Sequence, residues 1–227
     1  MLIFAIGMPI VMVILLGIIY GGKPAYAGAP YTFLEQSFGA VSTIAICAGG
    51  VMGLPLVISD YRGKKILKRF QVTPVSPIFL LIIQVFIYLI YSFASLILVY
   101  AVAALLFKLR LPGSMPAFLG AYLLVMVSTF SIGMMVGGVS PDMKTASVAA
   151  SILYFPMLIL SGTTLPYEVM PPVLQKAADF LPLTQGIKLL KAASLGLPAA
   201  NVHVSILVTV LIALICTGIS IRFFKWE

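Results

Sequence analysis

Charge is what this 227-residue chain has least of: Asp, Glu, Lys and Arg make up 9% of it, against about a quarter in an ordinary soluble domain. Hydrophobic residues fill 62% of the sequence and the mean hydropathy is +1.17. That balance excludes a soluble globular domain and implies an all-α integral membrane protein, read as one transmembrane domain over 1–227. A single His excludes an imidazole pair for a metal, and no H-E-x-x-H occurs. None of the six carboxylates lies inside an apolar run, which argues against the buried acids that relay protons or ions across membranes. Both cysteines, Cys47 and Cys216, sit inside apolar runs and suggest neither a disulfide framework nor a thiolate site. The run from Gly17 to Lys23 has the spacing of a phosphate-binding loop. Pro24 stands where Ser or Thr would hold magnesium, and the glycines close an apolar run instead of opening a helix after a strand. A Ser161/His203 nucleophilic pair has no G-x-S-x-G around it. No catalytic, cofactor-binding or metal residue is expected.

What remains is a series of apolar runs, at 2–20, 37–58, 78–107, 115–139, 145–160 and 204–223. At about 1.5 Å per residue each approaches or exceeds the length that crosses a bilayer. The first lacks the basic n-region of a signal peptide and is long for one, so it reads as a span. It starts almost at Met1, which suggests that the natural N-terminus is missing or mis-started. The third run is long enough to require tilt and carries Tyr88, Tyr91 and Tyr100. Its Gln84 is the strongest polar group inside any span, suited either to a helix–helix hydrogen bond or to a substrate contact. Gly49-x-x-x-Gly53 and Gly133-x-x-x-Gly137 permit close helix approach, including a close dimer seam. Pro156 is expected to interrupt the fifth span.

Two stretches differ from the rest. Arg62, Lys64, Lys65, Lys68 and Arg69 fall within eight residues, a cluster too small for nucleic acid but typical of a cytoplasmic loop facing anionic lipid. Gly63, Ile66, Leu67 and Phe70 repeat at helical spacing, which predicts a short surface helix with its basic side chains on the opposite face. Ser59 or Asp60 would cap it, and Thr73-Pro74 would stop it. The other stretch, 161–203, is of middling polarity and broken by Pro171, Pro172 and Pro182, which suggests a re-entrant helical hairpin. The basic helix, Lys144, Arg222 and Lys225 share one side of a six-span topology. The positive-inside rule puts that side, with both termini, in the cytoplasm and the hairpin outside.

The residues from Asp60 to Pro77, DYRGKKILKRFQVTPVSP, resemble the segment between the second and third spans of type-2 ABC transporter permeases. Leu160 to Pro171, LSGTTLPYEVMP, followed by Phe180-Leu-Pro-Leu-Thr184, is similar to that family's external hairpin. The resemblance implies a plasma-membrane permease for a drug, antibiotic, lipid or glycan, dimeric with an identical or paralogous copy. It also implies ATP-binding subunits that hold the ATP and magnesium. The stretch at about 59–72 would be the coupling helix, with Asp60, Arg62, Gly63, Lys64, Ile66, Leu67, Phe70, Thr73 and Pro74 meeting the ATP-binding subunit. Gly162, Leu165, Pro166, Pro171, Leu181, Pro182 and Leu183 would form an external gate, and Gln84 and Tyr88 are candidate translocation-path residues. The resemblance also implies an amphipathic helix before the first span; this sequence begins inside that span, which fits either a true absence of the helix or a truncated start. The competing readings are an ion-coupled or facilitative transporter without an ATPase and a membrane assembly or sensor protein.

Overall fold

The computed structural model describes residues 2–26, 28–66, 77–163, 167, 170–197 and 202–223. Among them no strand forms, and one isolated bridge joins Pro24 to Thr32. The helices are α1 (Leu2–Tyr20), α2 (Phe33–Gly63), α3 (Pro77–Phe107), α4 (Met115–Val139), α5 (Met143–Leu160), α6 (Pro172–Asp179), α7 (Pro182–Leu195) and α8 (Val202–Phe223). Among the described residues five of these, α2 to α5 and α8, are long and apolar enough to cross a membrane. The described apolar part of α1, Ala5–Tyr20, is shorter.

Local chemistry sets several boundaries. Thr32 and Glu35 form a reciprocal capping box at the start of α2. The Thr32 amide donates to Glu35 Oε2 at 2.8 Å, and the Glu35 amide donates to Thr32 Oγ1 at 3.2 Å. Asp142 Oδ1 accepts the Thr145 amide at 2.7 Å and opens α5. Pro182 occupies the first position of α7, where its missing N–H costs nothing. Gly196, with φ of +65°, ends α7 in the left-handed region.

α2 is the axis of the bundle. Its most apolar stretch is 78% buried, against 22–28% for α3, α5 and α8, and it packs on α1, α3, α4, α5 and α7. Lipid supplies no hydrophobic drive between helices, so close packing at small residues has to hold them. A Cβ on Gly133 would collide with the Gly50 carbonyl oxygen, which fixes α4 directly on the α2 backbone. A Cβ on Gly49 would come within 2.9 Å of Tyr88, and one on Gly53 within 2.6 Å of its hydroxyl. Both glycine spacings are therefore occupied within the chain, by Tyr88 of α3 and by α2 itself. The expectation that they could form a seam between copies is corrected on that ground.

Between Ala48 and Gly53 α2 widens into a π-helical stretch, and the Leu54 amide reaches back five residues to the Gly49 carbonyl. Three glycines and the ring of Pro55 account for it. Proline lacks an N–H and its ring crowds the carbonyl four residues earlier, and the wider turn relieves that clash. Pro156 behaves otherwise: α5 runs through it to Leu160, so the expected interruption does not occur. Such continuity is tolerated where neighbours re-satisfy the freed backbone groups.

Ser59 and Asp60 do not open a new helix, because α2 continues through them to Gly63. The chain leaves the helix only at Lys64, and Lys65 adopts a left-handed φ of 54°. Leu67, Phe70, Thr73 and Pro74 lie outside the described residues. At the opposite end α6 is largely exposed, with Val173 and Phe180 bare, while α7 is buried against α2, α4 and α8.

Candidate functional site

Among the described residues three places collect polar chemistry. The first is the end of α2. Arg62 is only 5% exposed and turns inward. Its Nη1 donates to the Gly138 carbonyl at 3.1 Å, and its Nη2 donates to the Gly137 carbonyl at 3.0 Å and to the Ser140 carbonyl. The last carbonyls of a helix have no partner inside it and carry the negative end of its dipole, so a guanidinium there satisfies both needs at α4. The expectation that all the basic side chains face away from the bundle fails at Arg62, because the nearest unsatisfied acceptors lie inside. Asp60 and Lys64 form an exposed ion pair at 2.7 Å, and Gly63 and Lys65 are exposed. Ile66 is half-buried. In the turn below, the amide of Thr145 holds the Asp142 carboxyl under the usual carboxylate range.

The second is a cleft of about 680 Å³ between α1, α2, α3 and α5. Gly49, Met52, Gln84, Tyr88, Tyr91 and Tyr154 contribute to its lining. It lies toward the Arg62 end, since Gln84 Nε2 donates to the Tyr61 hydroxyl at 2.6 Å. Tyr88 and Tyr91 meet edge to face with centroids 6.2 Å apart. The wall combines aromatic faces, a thioether and one amide, with no ionised side chain. Gln84 thus makes the helix–helix hydrogen bond while keeping a place on the cleft wall, next to Tyr88.

The third lies around α6 and α7, between Tyr167 and Ser205. Tyr167 donates its hydroxyl proton to Asp179 Oδ1 at 2.8 Å, and Lys188 Nζ pairs with the same oxygen at 2.5 Å. Lys188 also sits 4.5 Å from the Tyr167 ring centroid. Partial burial, then the bond to Asp179, push the Tyr167 phenol up. Gln175 Nε2 donates to the Tyr167 and Met170 carbonyls, and Gln185 Nε2 to the Asp179 carbonyl. The Ser205 hydroxyl donates to Gln185 Oε1 at 2.8 Å, tying α7 to α8.

The structure brings Gln84 and Tyr88 together on one wall and places Asp60, Arg62, Gly63, Lys64 and Ile66 at one end of the bundle. Of the expected gate residues, Gly162 takes a left-handed φ of 95°. Pro171 is exposed, Leu181 half-buried, and Pro182 and Leu183 buried, while Leu165 and Pro166 lie outside the described residues. Sequence reasoning missed the pairing of Tyr167, Asp179 and Lys188, and also missed Met52, Tyr91 and Tyr154 on the cleft wall. The nine-residue step from Asp179 to Lys188 across a Pro-marked turn was the available signal for the ion pair. Among the described residues no group of His, Cys, Asp and Glu could hold a metal. Ser161 meets Thr163, and His203 is exposed at the start of α8.

Apolar helices of spanning length around a buried, glycine-packed axis define a multi-pass membrane protein. The chain belongs to the ABC-2 type transporter family, whose model matches residues 1–195, and so stands among the membrane components of ABC transporters. It is similar to Nodulation protein J of Rhizobium leguminosarum bv. viciae, with 37% identity over 79 residues, 34% of this chain and 30% of that protein. Nodulation protein J of Neorhizobium galegae is 32% identical over 94 residues, 41% of this chain and 34% of the relative. The matched region spans about a third of the length of these relatives.

Proposed function

We propose that the chain is the permease subunit of an ATP-driven exporter in the plasma membrane, both termini cytoplasmic. It would work by alternating access with a second permease copy and a separate ATP-binding subunit. The observation that carries this reading is a basic segment attached directly to the buried axial helix α2. The family membership and the absence of any energy-converting motif in the sequence support it. The sequence offers neither a phosphate-binding loop nor an acid within the apolar runs, so the work would come from a partner. ATP and magnesium belong to that partner, whose closure would push the segment beginning at Asp60. Binding energy spent there reorients α2 only if the segment and the helix are stiffly joined. The cleft beside Gln84 and Tyr88 suits an amphipathic molecule, with aromatic faces for its apolar body and an amide for a hydrogen-bonding group. The outer hairpin, stapled by Asp179 and Lys188, would serve as the gate on the far side.

The test is purification of the tagged chain from native membranes in mild detergent, with mass spectrometry of what accompanies it. A stoichiometric ATP-binding protein, lost on Leu67→Asp or Phe70→Asp while the permease itself persists, is the expected result. A clean dimer without an ATPase, under conditions that preserve other such complexes, would sink the reading.

A further inference from the structure

We propose that Arg62 is a positioning residue that locks the end of α2 to the α4–α5 turn, so that a push on the basic segment moves α2, α4 and the start of α5 as one lever. The inference rests on the preceding reading that a partner pushes that segment, and it names the joint that carries the push inward.

A cation within a spanning helix is costly unless it faces the bundle interior and finds acceptors there. Arg62 does both, and its acceptors are the backbone carbonyls of Gly137, Gly138 and Ser140, 75 to 78 residues along the chain. A planar, forked guanidinium can hold several carbonyls at once, whereas an ammonium cannot match that fan of directions as rigidly. Above the joint α4 cannot slide along α2. Gly133 lies on the Gly50 backbone, and a Cβ on Gly137 would come within 3.0 Å of Pro55 Cα and Ile58 Cβ. Below it the turn is tied on both sides. The Ser140 hydroxyl donates to the Val136 carbonyl at 2.6 Å, and Asp142 caps α5 through the Thr145 amide. The helix ends within two residues of Arg62, and Lys64 and Lys65 beyond it are exposed. The stiff lever therefore stops where the exposed Lys64 and Lys65 begin. Interfaces packed this closely shift as units instead of deforming continuously, so displacement at Lys64 reaches Met143 with little loss.

The experiment uses the full chain with its co-purified ATP-binding subunit in nanodiscs, Cys47 and Cys216 replaced by Ala. Spin labels are placed at Lys64→Cys and Lys144→Cys, with labelled chain diluted into unlabelled chain. A second labelled pair, Lys144→Cys with Leu105→Cys, reports whether the turn moves relative to the far end of α3. With Arg62 present, the 64–144 distance distribution should be narrow and unchanged by a non-hydrolysable ATP analogue, while the 144–105 distance shifts. In Arg62→Gln the 64–144 distribution should broaden, and the nucleotide-driven 144–105 shift should be lost although the ATP-binding subunit still co-purifies. A narrow 64–144 distribution together with a retained 144–105 shift in Arg62→Gln would overturn the proposal. If Arg62→Gln does not assemble, Arg62→Lys keeps the charge without the fork and should give intermediate broadening; distributions identical to the parent would also overturn it. Should no ATP-binding subunit accompany the parent chain, the functional reading fails on its own. The joint is then still judged by whether Arg62→Gln broadens the nucleotide-free 64–144 distribution.

Discussion

The two ends of the bundle each hold a cation, and they hold it in opposite ways. Arg62 is 5% exposed and spends its donors on three backbone carbonyls. Lys188, whose side chain is 39% exposed, pairs with the half-exposed carboxylate of Asp179 beside the Tyr167 ring. A charge in a low-dielectric interior cannot let go of its acceptors without a large desolvation penalty, so it acts as a fixed joint. An exposed pair exchanges its partner for water at little cost and acts as a latch that opens readily. Stiffness at one end and easy release at the other would suit the proposed exporter, pushed from one side and opened at the other.

The largest expected effect breaks the fixed joint. Arg62→Gln should lower the unfolding free energy by about 3 kcal/mol, because charged hydrogen bonds are lost and α4 carbonyls are left buried without them. Chemical denaturation in nanodiscs followed by circular dichroism measures it, and a loss under about 1 kcal/mol would erase the contrast between the ends. Lys188→Gln should cost less than about 1 kcal/mol, and less again as ionic strength rises, since its pair is partly solvated. An equal, salt-insensitive loss would mean that exposure does not decide the weight of these charges. The smallest effect separates burial from location. Asp142 lies at the Arg62 end but is exposed, and the Thr145 amide depresses its pKa. Its contribution is present above the unfolded carboxylate pKa and is lost as pH falls through the lower folded value. Amide protection in the first turn of α5, taken relative to the intrinsic exchange rate at each pH, should therefore fall only at acid pH, and Asp142→Asn, which caps without titrating, should flatten that dependence.

Much of this was legible in the chain. Long apolar runs admit few structures in lipid, because every backbone group must be satisfied within the segment, and helices follow. The motifs from Asp60 to Pro77 and from Leu160 to Thr184 pointed to the family that the match over residues 1–195 shows. The direction of Arg62 was not legible, since its acceptors are backbone atoms of residues whose side chains carry no matching charge. Nor was the use of Gly49 and Gly53 as a seat for Tyr88, because a glycine spacing states that something approaches without naming it. The Asp179–Lys188 pair was hidden behind the turn that joins α6 to α7.

By itself the sequence determined the solvent of this protein, the helical character of its spans and the place where its charge is concentrated. These follow from transfer free energies and backbone hydrogen bonding, which act residue by residue. Tertiary structure alone decided that α2 is the buried axis, that Arg62 turns inward, and that the cleft wall gathers Gln84, Tyr88 and Tyr91 of α3 with Tyr154 of α5. Each of those depends on which surfaces meet, and packing between helices in a membrane is set by shape and by reachable acceptors, which no local pattern encodes.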